Sequence, residues 1–152
     1  MASPDVSCQH GLGRIDHLAV VVRDLEAALC VYRDGLGLGV TDVKEIPSDG
    51  VRIAFLPVGE SKIELVQPIA PDTGIARYLE KRGEGLHHVC FEVTHLAETL
   101  TRLAVAGVEL IDRAPRKGAE GPVAFVHPRS CNGVLVELIE APGGPAWEAL
   151  GY

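Results

Sequence analysis

The chain contains two copies of one segment, each about seventy residues long. IDHLAVVVRDLEAAL (residues 15–29) aligns with LHHVCFEVTHLAETL (residues 86–100), and the alignment places His17 on His88. The ends of the two copies match as well, in residues 53–55 and 63–65 of the first copy and residues 123–125 and 136–138 of the second. A period this long in only two copies is unlike a solenoid and indicates tandem duplication of a small module.

Each copy predicts one strand, one helix and three further strands. Short apolar runs rich in branched residues are typical of strands, and they cover residues 14–22, 39–45, 51–58 and 61–67, then 86–93, 108–112, 123–127 and 133–140. Asp24 can cap the helix after the first strand and Gly35 ends it. A tight turn at Gly59 and Glu60 joins two strands. Further helices are predicted over residues 72–81 and 95–106.

These elements predict an α+β domain in which two tandem βαβββ modules form one curved eight-stranded sheet around a metal site. The domain covers residues 14–142, with modules at residues 14–70 and 85–142. Residues 1–13 are predicted to be a disordered N-terminal tail, and residues 143–152 a loose or swapped C-terminal tail.

Charge and cysteine content limit the partners of the chain. The formal net charge is −7, which disfavours nucleic acid and an anionic membrane because both require a large basic surface. No apolar run reaches the length of a membrane span, and the first residues lack the pattern of a secretory signal. Four cysteines lie far apart without a CxxC pair. They are interpreted as reduced thiols in a cytoplasmic protein.

The repeat also selects four residues that could bind a metal. Each copy has a histidine as the third residue of its aligned segment, His17 in residues 15–29 and His88 in residues 86–100. Each copy also has a glutamate in the middle of its last predicted strand, Glu64 in the first and Glu137 in the second. Two imidazoles and two carboxylates suit Co, Mn, Ni, Zn or Fe(II). Burial of a glutamate between Leu and Val is costly unless it is paired or metal-bound. We therefore predict one divalent metal ion held by these four side chains.

A structural role is the alternative for each residue taken alone. A histidine near a strand start is usually a satisfied polar residue, and Glu64 could pair with Lys62 at the surface. Packing alone would favour apolar side chains over four recurring chelating ones. His87 adjoins His88 and must face the other way, so it is predicted to bond to the backbone and not to bind metal.

At these residues the chain resembles the vicinal oxygen chelate superfamily, which includes glyoxalase I, extradiol dioxygenases, fosfomycin resistance proteins and methylmalonyl-CoA epimerases. The match is to the epimerases and runs from about residue 14 to 142. It rests on IDHLAVVVRDLEAAL, GVRIAFLPVGESKIELVQP, GLHHVCFEV and VAFVHPRSCNGVLVELIEAP. The resemblance assigns metal binding to the same four positions.

The resemblance implies a metal-dependent exchange of a proton in an acyl-CoA thioester through an enediolate, which interconverts (R)- and (S)-methylmalonyl-CoA. Two bases on opposite faces of the carbon are required, and Glu137 is the first candidate and Glu64 the second. Lys117, Arg129 and Ser130 are candidate substrate-binding residues, although the two cations could equally be ordinary solvated charges.

Two other functions remain open from the sequence. A glyoxalase I-type lactoylglutathione lyase would use similar ligands and similar chemistry. A metal-free small-molecule-binding protein of the same fold would usually have lost the four ligand positions, all of which are present here. An exposed sheet edge is expected to support a homodimer.

Overall fold

The structure is a computed structural model in which residues 11–152 are described. The predicted N-terminal tail, apart from its last three residues, and Cys8 and His10 lie outside the described residues. The elements in chain order are β1 (Leu12–Val21), α1 (Leu25–Leu29) continued by a π-helix (Cys30–Gly35), β2 (Asp42–Ile46), β3 (Val51–Val58), β4 (Ser61–Pro68), α2 (Gly74–Arg82), β5 (Gly85–Val93), α3 (Leu96–Val105), β6 (Arg116–Lys117), β7 (Pro122–Val126), a 3₁₀ turn (Pro128–Ser130), β8 (Val136–Glu140) and α4 (Pro145–Ala149). This order confirms the two βαβββ modules.

The described chain divides into two compact units, and the division falls inside β1 and β5. The first unit is Asp16–Cys90, and the second combines residues 11–15 with Phe91–Tyr152. In the first unit the strand order is β2-β3-β4-β1-β5. Strand β4 runs parallel to β1 and antiparallel to β3. In the second unit the order is β1-β5-β8-β7-β6, with β7 antiparallel to both β8 and β6.

The two units have matching cores and matching registers. Helix α1 buries Leu25 and Leu29 against apolar residues of β3 and β4, and α3 buries Leu96 and Leu100 against β7 and β8. In the first hairpin Glu64 pairs with Phe55, and in the second Glu137 pairs with Phe125. Since a slip of one residue would turn every side chain to the other face, this agreement places the two glutamates at equivalent positions of their modules.

The start of the helix in each module is held by a side chain three residues beyond that glutamate. In the first unit Gln67 Oε1 accepts a hydrogen bond from Leu25 N at 2.8 Å. In the second unit the Glu140 carboxylate, only 1% exposed, accepts from Leu96 N at 2.8 Å and from Ala146 N at 2.6 Å. One buried carboxylate therefore holds the first turns of both α3 and α4.

We expect Glu140→Ala to lower the free energy of unfolding by about 3 kcal/mol, because two hydrogen bonds to a charged acceptor are lost and two backbone donors are left inside the protein. Chemical denaturation followed by circular dichroism measures the loss. Gln67→Ala is the matched control, since it removes one bond to a neutral acceptor and should cost only about 1 kcal/mol. Equal losses in the two variants would show that the charge and second bond of Glu140 contribute nothing.

One predicted strand is wrong. Over residues 108–112 only Leu110 forms a bridge, to Val126. The strand that pairs with β7 on the side away from β8 is β6. The Asp112 side chain accepts the hydrogen bond from Phe125 N at 2.8 Å. A side chain thus takes the place of a backbone carbonyl in the ladder, and regular pairing does not extend through this segment.

The C-terminal segment is also more ordered than predicted. Ala146 of α4 is buried, and Trp147 Nε1 donates to Glu140 O at 3.2 Å. The Tyr152 hydroxyl accepts from Gly118 N at 3.0 Å and donates to Gly118 O at 3.1 Å. Residues 143–152 therefore fold back onto their own unit and are not a loose extension. None of the helices in residues 11–152 is long and apolar enough to cross a membrane.

Candidate metal centre

Three of the four predicted ligands meet within the first unit. His17 lies on β1, Glu64 on β4 and His88 on β5, and each is at most 8% exposed. His17 Nε2 is 3.2 Å from both His88 Nε2 and Glu64 Oε2, and His88 Nε2 is 3.7 Å from Glu64 Oε2. Donors bound at about 2.0–2.2 Å to one tetrahedral ion lie roughly 3.3–3.6 Å apart, so this spacing fits a shared metal.

The protonation of His17 makes its Nε2 an acceptor. Its Nδ1 is 2.8 Å from Asp16 Oδ2. Burial opposes ionisation of Asp16, but the hydrogen bond from His17 and the charge of Lys62 outweigh it and hold the pKa of this carboxyl below its usual value. An ionised carboxylate only accepts hydrogen bonds, so Nδ1 donates. In the neutral imidazole the lone pair on Nε2 then points at Glu64 and His88.

His88 has a comparable arrangement. Its Nδ1 is 2.8 Å from His87 Nδ1, and the tautomer that donates to His87 leaves a lone pair on His88 Nε2. Two imidazole nitrogens and one carboxylate oxygen then converge as acceptors in a buried place. Such groups repel one another unless a cation or a proton lies among them. The set can bind Co, Mn, Ni or Zn, which accept mixed nitrogen and oxygen ligands.

Glu137 lies in the second unit, as the second residue of β8, and is buried like Glu64. Burial of a carboxylate is costly unless it is paired or metal-bound, and this cost applies to both glutamates. The equivalent register with phenylalanine in each hairpin supports the prediction of Glu137 as the fourth ligand.

The residues preceding the two histidines were missed as parts of the site. His87, for which a bond to the backbone was predicted, has its ring in contact with His88. The same ring lies edge-on to Tyr78, and the centroids of these two rings are 4.7 Å apart. Asp16 was not selected at all. The available signal was the pair DH in one copy and HH in the other, in which a polar residue directly precedes each predicted ligand.

The predicted substrate-binding residues do not form one patch in the second unit. Lys117 pairs with Pro122 at the start of β7, whereas Arg129 and Ser130 follow the end of that strand. The length of β7, about 14 Å, separates them. Lys117 Nζ lies 5.4 Å from the centre of the Tyr152 ring.

Arg129 and Ser130 share one partner. Arg129 Nη1 is 3.4 Å from the carboxylate of Glu109, and the Ser130 hydroxyl accepts a hydrogen bond from Glu109 N at 2.8 Å. Glu109 therefore offsets the charge of Arg129 in this structure.

Comparison with known proteins agrees with the fold. Residues 16–126 match the model of the Glyoxalase/Bleomycin resistance protein/Dioxygenase superfamily. The chain is 42% identical over 130 residues to the ethylmalonyl-CoA/methylmalonyl-CoA epimerase of Cereibacter sphaeroides, covering 84% of this chain and 97% of that protein. It is 42% identical over 132 residues to the mitochondrial methylmalonyl-CoA epimerase of Mus musculus, covering 86% and 74%.

A solved structure shows the same fold. It is a Streptomyces coelicolor methylmalonyl-CoA epimerase variant in complex with 2-nitronate-propionyl-CoA, which superposes with a TM-score of 0.82 at 32% identity and covers 88% of this chain and 97% of that one. The predicted fold class is thereby confirmed. The chain belongs to the glyoxalase/bleomycin resistance protein/dioxygenase superfamily and, within it, to the methylmalonyl-CoA epimerase family.

Proposed function

We propose that this protein is a metal-dependent isomerase that interconverts (R)- and (S)-methylmalonyl-CoA. The observation that carries the proposal is the convergence of His17, His88 and Glu64 donors within 3.7 Å, in a chain 42% identical to epimerases. The relatives name the substrate class, an acyl-CoA thioester, and the donors supply a place for the cation that the chemistry requires.

The residues of the site would have separate roles in metal binding and in proton transfer. His17, His88, Glu64 and, by its equivalent position, Glu137 would hold one divalent ion, of Co, Mn, Ni or Zn. When bound, the ion would act as a Lewis acid toward the negative charge that develops on the thioester oxygen. Glu137 is the first candidate to remove the α-proton and Glu64 the second candidate to return it. Burial of both carboxylates strengthens their electrostatic interactions because water is excluded.

Cations on the second unit would contact the rest of the ligand. Lys117, Arg129 and Ser130 are proposed to bind the phosphates of coenzyme A. Since Lys117 lies at one end of β7 and the other two lie beyond the opposite end, they would contact different parts of a long ligand.

We also propose a homodimer in the cytoplasm. Within the first unit β2 lies at the end of the strand order and presents Val43 with 42% of its surface exposed, which supports association through this strand. Cys30, Cys90 and Cys131 are free thiols, as is usual in a reducing compartment.

The proposed function is tested by incubating the metal-loaded protein with methylmalonyl-CoA in deuterated water and following the α-proton by NMR. We expect exchange well above the rate in a sample without protein. The same preparation is offered a glutathione hemithioacetal. Isomerisation of the hemithioacetal without exchange in methylmalonyl-CoA would assign lyase activity instead. Absence of both activities in a protein that binds no metal would favour a small-molecule-binding role.

A further inference from the structure

An ion pair with a buried carboxylate lies directly behind one of the proposed ligands. Asp16 Oδ2 is 2.8 Å from His17 Nδ1 and 3.3 Å from Lys62 Nζ, and the side chain of Asp16 is 6% exposed. Lys62 is opposite His17 in the parallel pairing of β1 and β4, and its ammonium lies 5.3 Å from the centre of the Phe55 ring. The carboxylate is therefore held from one side by a cation while it accepts from the imidazole on the other.

A second metal site at this place is the competing interpretation. Asp16, His17 and Cys90 each offer a donor atom, and these atoms lie within 4.8 Å of one another. Two observations argue against a cation there. The ammonium of Lys62 already lies beside the Asp16 oxygen, and Nδ1 of His17 carries the proton that the carboxylate accepts. The cluster acts on His17 through a hydrogen bond instead.

From this geometry we propose that Asp16, held by Lys62, is a positioning residue that sets the tautomer and the ring orientation of His17. Protonation at Nδ1 directs the Nε2 lone pair toward Glu64 and His88, and a carboxylate partner raises the basicity of the imidazole. His88 Nδ1 faces a second imidazole, that of His87, where His17 Nδ1 faces a carboxylate. This inference rests on the proposed metal site.

The test measures metal binding and the His17 tautomer, and it requires no substrate. Asp16→Asn keeps the volume and removes the charge, and Asp16→Ala removes the acceptor. Cobalt titration followed by visible absorption should show binding about 10–100-fold weaker in Asp16→Ala, with a smaller loss in Asp16→Asn. Nitrogen-15 NMR of the metal-free wild-type protein should show His17 protonated at Nδ1, and the Nε2-protonated form should appear in both variants.

Asp42→Asn is the matched control, because Asp42 forms an exposed ion pair with Lys44 at 2.8 Å and should leave both readouts unchanged. Wild-type cobalt affinity in both Asp16 variants, or an Nε2-protonated His17 in the wild-type protein, would overturn the positioning role while leaving the metal site in place. A wild-type protein that binds no cobalt would overturn the metal site and the positioning role together.

Discussion

Glu137→Gln is expected to slow exchange of the α-proton of methylmalonyl-CoA by about 10²–10⁴-fold, the usual contribution of a general base. The amide keeps an oxygen donor and nearly the same volume, but it loses the negative charge and most of the basicity. Rates are measured by NMR in deuterated water, at a metal concentration that saturates the variant, so that weaker binding does not lower the occupancy. A large loss at full occupancy that exceeds the loss in Glu64→Gln assigns proton removal to Glu137.

Glu64→Gln is the internal control for that experiment. Glu64 and Glu137 occupy equivalent positions, each opposite a phenylalanine in its hairpin and each buried. Equal losses in the two variants would favour a shared electrostatic role over a single base. A Glu137→Gln variant that retains metal and near-normal exchange would place the proton carrier elsewhere.

Removing the metal with a chelator is expected to lower the exchange rate by about 10³-fold. The loss corresponds to roughly 4 kcal/mol of charge stabilisation in the transition state. Adding back Co, Mn, Ni or Zn should restore the rate, and the ion that restores it best at equal occupancy identifies the preferred metal. Because a ligand that binds only the folded state stabilises it, the midpoint of thermal unfolding should fall with chelation and recover with the metal.

The control for other effects of the chelator is to add chelator already saturated with the same metal. This addition should change neither the exchange rate nor the midpoint of thermal unfolding. Full activity in protein shown by elemental analysis to contain no metal would contradict the proposal. The dependence on pH gives a second check, since imidazole and carboxylate donors must lose their protons before they bind. The apparent affinity for metal should therefore weaken as the pH is lowered.

The elements that the sequence predicted best are those set by local periodicity and by the repeat. The hairpin of β3 and β4 follows from two alternating runs joined at Gly59 and Glu60, and the structure pairs Val58 with Ser61 across that turn. The element least well predicted is the segment over residues 108–112. There, Phe125 N donates a hydrogen bond to the Asp112 side chain, and this bond replaces regular pairing. No local sequence pattern predicts such a contact.

The sequence alone determined the duplication and the equivalence of His17 with His88 and of Glu64 with Glu137. It also predicted a metal site of nitrogen and oxygen donors. Chelating side chains that recur in both copies identify these equivalent positions without a three-dimensional structure. The tertiary structure decided which groups lie behind the ligands. Neighbouring residues on a strand point to opposite faces, so the strand pattern predicts no contact between Asp16 and His17, yet the Asp16 carboxylate reaches His17 Nδ1 at 2.8 Å. Partners such as Lys62 for Asp16, or α4 for Glu140, depend on side-chain conformation and on packing between elements, which the period of a sequence does not encode.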